Sequence, residues 1–299
     1  MLSQQILKTL QYFDIQDHPL TLLEIKKYLL AGGEKGKAHD AGSPASDQLR
    51  PSISSILNCL DNELAGQVQN KYGFYFLRGR ESIAESRWKN NFYSVPRLKK
   101  AKRILPLARF VPFIAAVALT GSEARGNSKE GSDIDLLVLT ETNRIWLGRL
   151  FLTAFFQILG MRRHGNKIAD RFCLNHYVRV GKILDADKNI YTAVEYVSLI
   201  PFYGGKAVYD FQIKNIDWIK NYLADPIIVK FETPKKSCFA RFIEIIFANF
   251  AGDALERAAG RYQKSRIRVQ QNIVIENDEL SFHPGSKGKQ VLSRMPFIK

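Results

Sequence analysis

The residues best placed to do chemistry lie close together, in the segment 119–140, which reads LTGSEARGNSKEGSDIDLLVLT. Asp133 and Asp135 are one residue apart at the head of an apolar run. On a strand, side chains at i and i+2 share a face, so both carboxylates project into the same space. Two like charges held that close repel, and they persist most economically with a divalent cation between them. Magnesium suits the pair, because it takes one or two carboxylates and completes its shell with water and phosphate oxygens.

The other half of the segment supplies groups for the phosphates. Gly121 lets backbone approach closely, and Ser122 with the N–H groups that follow can donate, especially if a helix begins at Glu123. Arg125 adds a planar, permanently charged partner for a triphosphate, and Ser132, next to the first aspartate, is counted with these binding residues. A Gly-Ser pair or an Asp-x-Asp alone is common. The order of strand, turn, loop and strand around them is far more specific.

Those elements can be read from the apolar pattern. The run 111–119 (VPFIAAVAL) fits a buried strand that ends at the Gly-Ser turn, and 134–139 (IDLLVL) fits a second that carries the aspartates. Between 143 and 160, Leu147, Leu150, Phe151, Ala154, Phe155 and Ile158 recur at helical spacing, which predicts a helix packed on the sheet. Arg144 and Arg149 argue against reading it as a membrane span. A third strand is expected at 171–178 (RFCLNHYV).

This arrangement resembles the polymerase-beta nucleotidyltransferase superfamily, whose signature is an apolar residue, Gly, Gly or Ser, a loop, and then Asp-x-Asp or Asp-x-Glu on a strand. The likeness covers residues 113–178, and GSEARG followed by SDIDLLV is most similar to the small prokaryotic and aminoglycoside-modifying types. The resemblance implies an α+β core: a short mixed sheet with flanking helices. It implies that Asp133 and Asp135 hold two magnesium ions and that Gly121 and Ser122 contact a nucleoside triphosphate. An acceptor hydroxyl would then attack the α-phosphorus and release pyrophosphate, with ATP the commonest donor. The family usually places a third carboxylate on the later strand, where this chain has Asn175, a neutral side chain and a poor base. Asp170, just before that strand, is the other candidate for a third metal ligand. His176 reads as a packed or surface histidine.

Around this core the chain divides further. Residues 1–80 open with two helices, the second preceded by a Thr21–Glu24 capping-box pattern; 31–50 reads as a surface insertion, and a third helix and a hairpin about Tyr72-Gly73 follow. Three helices and a hairpin resemble a winged-helix domain, which would contact nucleic acid or a protein partner. The third helix, 51–63, carries Asp61 and Glu63 and no Arg or Lys, poor material for DNA. A basic helical connector broken by Pro96 and Pro106 is expected over 81–110, the nucleotidyltransferase core over 111–186, a helical domain with the acceptor site over 187–265, and a basic tail over 266–299. In that helical domain, 191–199, 216–223 and a strongly apolar 239–250 read as helices.

The net charge of +15 suits nucleic acid, an acidic membrane surface or anionic substrates, and does not choose among them. Cys59, Cys173 and Cys238 have no spacing that suggests zinc or a disulfide framework. The opening MLSQQILKTLQYF lacks the features of a secretory leader, so a cytoplasmic protein is expected. Two functions from different classes follow: a magnesium-dependent nucleotidyltransferase acting on an unknown hydroxyl acceptor, or a catalytically weakened nucleotide-binding regulator, or antitoxin-like protein, that binds nucleic acid or a protein partner.

Overall fold

The computed structural model describes residues 1–32, 51–184, 188–267, 274–282 and 286–295. Most of the insertion expected at 31–50 and parts of the basic tail lie outside the described residues.

The N-terminal part follows the expected order. Helices α1 (Leu2–Asp14), α2 (Leu22–Lys27) and α3 (Ile53–Asn58) precede the antiparallel hairpin β1 (Val68–Lys71) and β2 (Phe74–Leu77). Thr21 accepts from the Glu24 N–H while the Glu24 carboxylate accepts from Thr21, so the capping box is complete. Ser52 caps α3, which widens into a π turn over Cys59–Glu63. Leu20 forms an isolated antiparallel bridge with Tyr75 beside the hairpin.

The connector is one continuous helix rather than a broken segment. Helix α4 (Glu81–Ile104) runs through Pro96 without interruption and passes into a 3-10 turn, Leu105–Phe110, which receives Pro106 near its start. Proline removes the hydrogen bond to the carbonyl four residues earlier, that of Phe92, and its ring crowds that same carbonyl. Phe92 lies on the exposed side of α4, where water can replace the missing donor.

The central sheet has strand order β6-β3-β4-β5-β8-β7. Its members are β3 (Ile114–Leu119), β4 (Ile134–Thr140), β5 (Phe172–Arg179), β6 (Ile200–Tyr203), β7 (Val274–Ile275) and β8 (Glu279–Ser281). Only β4 and β5 run parallel, joined by the crossover helix α6 (Ile145–Ile158); the other pairings are antiparallel. The mixed sheet and flanking helices agree with the expected α+β class. The sheet extends beyond 111–186, because β6, β7 and β8 come from later in the chain. A short IPFY strand bounded by α7 (Ile190–Val197) and α8 (Gly205–Lys214) is hard to separate from its helical neighbours by pattern alone, so 187–265 reads as all-helical when it is not. Helix α9 (Ile216–Ile219) is one turn long.

Strand alternation divides the interior in two. Ala116, Ala118, Leu137, Leu139 and Val178 face a core shared with the N-terminal helices, α7, α8 and α9. Val117, Leu119, Leu136, Val138 and Tyr177 face a second core closed by the end of α4, by α6 and by Ala259. The apolar stretch 239–250 is two helices, α10 (Cys238–Ile246) and α11 (Phe250–Arg266), separated where Asn249 caps the second.

The turn from β6 into α8 bears on core stability. Gly204 has φ +69°, and a Cβ there would lie 2.0 Å from the Ala115 carbonyl and 2.6 Å from the Ala116 Cβ. Gly204→Ala is expected to cost about 3 kcal/mol or more of stability, read as a lower urea midpoint at unchanged m-value.

Candidate active site

Strand β3 ends at Thr120, whose N–H donates to the Asp135 carbonyl at 3.1 Å and so ties the turn to the head of β4. The chain then enters the short helix α5 (Gly121–Ala124), starting at Gly121 with φ +66°. A Cβ on Gly121 would lie 3.2 Å from Asp135 Oδ2. The glycine is therefore needed for its backbone conformation and for the closeness of the carboxylate. Ser122 and Ser132 are half-buried at the two ends of the loop that joins α5 to β4.

That loop is held from behind by one face of α4. The buried Arg97 guanidinium donates to Ser128 Oγ at 2.9 Å and to the Lys129 carbonyl at 2.8 Å, and pairs with Asp170 at 2.5 Å. Ser94 Oγ accepts from the Ser128 N–H, Asn90 Nδ2 donates to Asn127 Oδ1, and Arg87 donates to the Arg125 carbonyl. Arg87 also pairs with Glu24, which joins the loop to the N-terminal helices. Residues 87, 90, 94 and 97 recur at helical spacing, a pattern visible in the sequence but buried within a polar stretch that reads as a plain connector.

Asp133 and Asp135 project toward the same place, and Cys173 on the adjacent strand joins them. One carboxylate oxygen from each aspartate and the Cys173 Sγ all lie within 4.8 Å of one another. Cys173 arrives there because β5 runs beside β4 in parallel, with Asp135 opposite Cys173 in the register. Two carboxylates suffice for magnesium, so the donor set fits that ion. The thiol is a softer ligand of the kind that favours transition metals. Burial and the neighbouring Asp135 charge push the Cys173 thiol up to about 12, so in the absence of a cation it is protonated.

Two donors satisfy the carboxylates. Arg163 donates to Asp133 at 2.6 Å and to Cys173 Sγ at 3.3 Å. Asn175 Nδ2 donates to Asp135 at 2.9 Å and to Cys173 Sγ at 3.1 Å. Asn175 thus lies beside the Asp133, Asp135 and Cys173 cluster, with its amide donating into it. Asp170 is held instead by Arg97, outside the cluster formed by Asp133, Asp135 and Cys173. Arg125 is also directed elsewhere: its largely buried guanidinium lies 3.7 Å from Glu195, in a setting shared with Tyr12, Tyr28 and Tyr191. It joins the core to the N-terminal helices. The basic residue at the aspartates is Arg163, which sequence spacing could not select, because it lies 30 residues from Asp133 in a loop paired with Phe172.

His176 is packed, as expected, 3.5 Å from Glu279 and against Tyr196. A register irregularity between Asp135 and Leu137 sets it opposite Leu137. A cleft lined by Glu141, Glu244 and Asp253 opens at the far end of β4 from Asp135, but these carboxylates are paired with Lys236 and Arg144. Among the described residues, no helix is long and apolar enough to cross a membrane.

Two outcomes follow from this geometry. Arg163 donates to Asp133, one of the two aspartates that would hold a cation, so Arg163→Ala is expected to raise affinity for Mn²⁺ alone by about tenfold, measured by titrating the free-ion paramagnetic signal. Glu123, on α5, is buried, and this pushes its carboxyl up to about 7 against the pull of Ser128 and Arg97. The folded state therefore binds the proton more tightly than the unfolded one, and stability falls as pH rises through the interval between about 4.5 and about 7. Glu123→Gln is expected to leave stability at pH 4 nearly unchanged and to raise it by roughly 1–3 kcal/mol at pH 8, in paired denaturant titrations.

The model of the nucleotidyltransferase domain family matches residues 99–250, which is 152 residues of 299. No curated protein and no solved structure matches the chain. The matched span runs from the last turns of α4 to the start of α11 and contains both aspartates, the Gly121 turn, Arg163 and β6. With a match over more than half its length and the carboxylate pair set against the glycine turn, the chain belongs to the nucleotidyltransferase domain family.

Proposed function

We propose that the protein transfers a nucleoside monophosphate from a nucleoside triphosphate, ATP being the commonest donor, to a hydroxyl of an acceptor molecule. The observation that carries this reading is the convergence of Asp133 and Asp135 on the space beside the positive-φ turn at Gly121. Asp133 and Asp135 would hold magnesium. The chemistry supplied by bound magnesium is neutralisation of phosphate charge and acidification of a hydroxyl. Gly121 keeps side-chain bulk away from the phosphates, while Ser122 and the N–H groups that open α5 would face them as donors. Ser132 takes the same role from the other end of the loop. Arg163, which pairs with Asp133, would supply the guanidinium for the triphosphate, whereas Arg125 is paired with Glu195. The acceptor oxygen attacks the α-phosphorus, the bond to the bridging oxygen breaks, and pyrophosphate leaves.

A second reading is favoured by one observation. Asn175 stands where a third carboxylate would take the acceptor's proton, and its amide donates to Asp135 instead. A site that binds nucleotide and turns it over poorly suits a regulator, with the winged-helix-like N-terminal elements as the partner module. Exposed Asp61, Asn62 and Glu63 at the third helix favour a protein partner over DNA.

Calorimetry with a non-hydrolysable ATP analogue tests the shared premise. Magnesium-dependent binding is expected for the wild type and is expected to weaken at least about a hundredfold in Asp133→Asn/Asp135→Asn. If the folded wild type binds no nucleoside triphosphate, both readings fail. A labelled acceptor found after incubation with α-labelled ATP separates the enzyme from the regulator.

A further inference from the structure

Helix α10 is strongly amphipathic, yet its apolar side faces solvent. Phe239 and Phe242 are each 61 % exposed, Ile245 is 73 % and Ile246 45 %, and Phe250 at the start of α11 is 79 % exposed. The opposite side of α10 carries Ala240, fully buried, and Glu244, which accepts from the Phe113 N–H and pairs with Lys236. Thus the polar side is turned into the protein and the phenylalanines outward, the reverse of an ordinary surface helix. Leu107 and Phe110, on the turn that α10 packs against, are also exposed. Five large apolar side chains within twelve residues form a patch of a kind that marks an interaction surface.

Charge on the same two helices is sorted in the same way. Every acidic residue of 238–266 is engaged with the body of the protein: Glu244 as above, Asp253 with Arg144, and Glu256 with the N–H groups of Trp146 and Leu147 at the start of α6. The basic residues of that span, Arg241, Arg257, Arg261, Lys264 and Arg266, are all exposed. Arg257 lies 5.7 Å over the Phe250 ring, so the basic and apolar surfaces are continuous there.

We propose that the α10–α11 face docks on an anionic lipid surface, with Phe239, Phe242, Ile245, Ile246 and Phe250 entering the headgroup boundary and the basic residues meeting acidic lipids. Outward Phe and Ile beside uncompensated Lys and Arg are the components of interfacial membrane binding. A second copy of this chain would place like charges against one another across the same patch, which argues against self-association. Helix α11 packs on α6, in the core on the sheet face opposite that of Leu137 and Leu139. Asp135 shares the Leu137 face by strand alternation. Attachment through α10 and α11 therefore leaves the carboxylates directed away from the lipid.

Co-sedimentation with vesicles tests this, using phosphatidylcholine alone and phosphatidylcholine with about a third phosphatidylglycerol, where polybasic attraction is strong. The full chain is expected to pellet with the anionic vesicles, to stay in solution with the neutral ones, and to be released by salt. Phe242→Glu/Ile246→Glu, at exposed positions, is expected to lower the bound fraction at least about tenfold, with unchanged circular dichroism and melting temperature. Arg257→Ala/Arg261→Ala is expected to lower it severalfold and to weaken its salt dependence. The proposal is overturned if the wild type ignores anionic vesicles, or if the Phe242/Ile246 variant binds them equally. It is also overturned if light scattering finds a wild-type dimer that this variant dissociates, since a second copy then covers the face.

Discussion

The organising constraint of this molecule is the repulsion between Asp133 and Asp135, whose oxygens converge with the Cys173 sulfur within 4.8 Å. A carboxylate pair at that spacing needs positive charge or hydrogen-bond donors, and the fold brings them from separate parts of the chain. Arg163 comes from the loop after α6 and Asn175 from β5. These two donors occupy the same ligand atoms that a divalent cation would use. A cation held by Asp133 and Asp135 would therefore compete with the hydrogen bonds from Arg163 and Asn175.

Holding two carboxylates against a positive-φ glycine requires a rigid backing, which α4 provides. Arg97 is buried and simultaneously reaches Ser128, the Lys129 carbonyl and Asp170, so one guanidinium ties the loop between α5 and β4 to the segment that leads into β5. A buried guanidinium is costly unless nearly all its donors are used, and here its fork fits three acceptors at once. The same helix reaches the N-terminal part through Arg87 and Glu24, while Arg125 pairs with Glu195 of α7 in a setting shared with Tyr12 and Tyr28 of the N-terminal part. The N-terminal helices and one face of the central sheet therefore share a core.

The two faces of the sheet are unequal in use. Asp135 lies on the face packed by the N-terminal helices and α7, whereas the opposite face is closed by α6 and α11 and ends at the outward phenylalanines of α10. Separating the nucleotide side from the apolar side keeps a desolvating surface away from a site that must admit a highly charged ligand.

Local order was legible in the residues. Thr21 and Glu24 specify a capping box, the Gly121 turn and Asp-x-Asp pair specify a strand, a turn and a strand, a short apolar run locates β4 and the 3.6 period locates α6, because each depends on neighbours a few residues apart. Partners distant in sequence were not legible. Arg125 stands within the signature segment but pairs with Glu195, and Arg163, in an unremarkable loop, reaches Asp133; long side chains choose partners by proximity after folding. Pro96 marks a break by local rules, yet α4 continues because its packing against the loop outweighs one missing hydrogen bond. The strand β6 reads as part of a helical region because four residues carry too little period to overrule their surroundings, and only its pairing with β3 makes it a strand. Sequence alone determined which chemistry the segment 119–140 could support; the tertiary structure decided which distant side chains complete it, because proximity across the fold has no signature in local spacing.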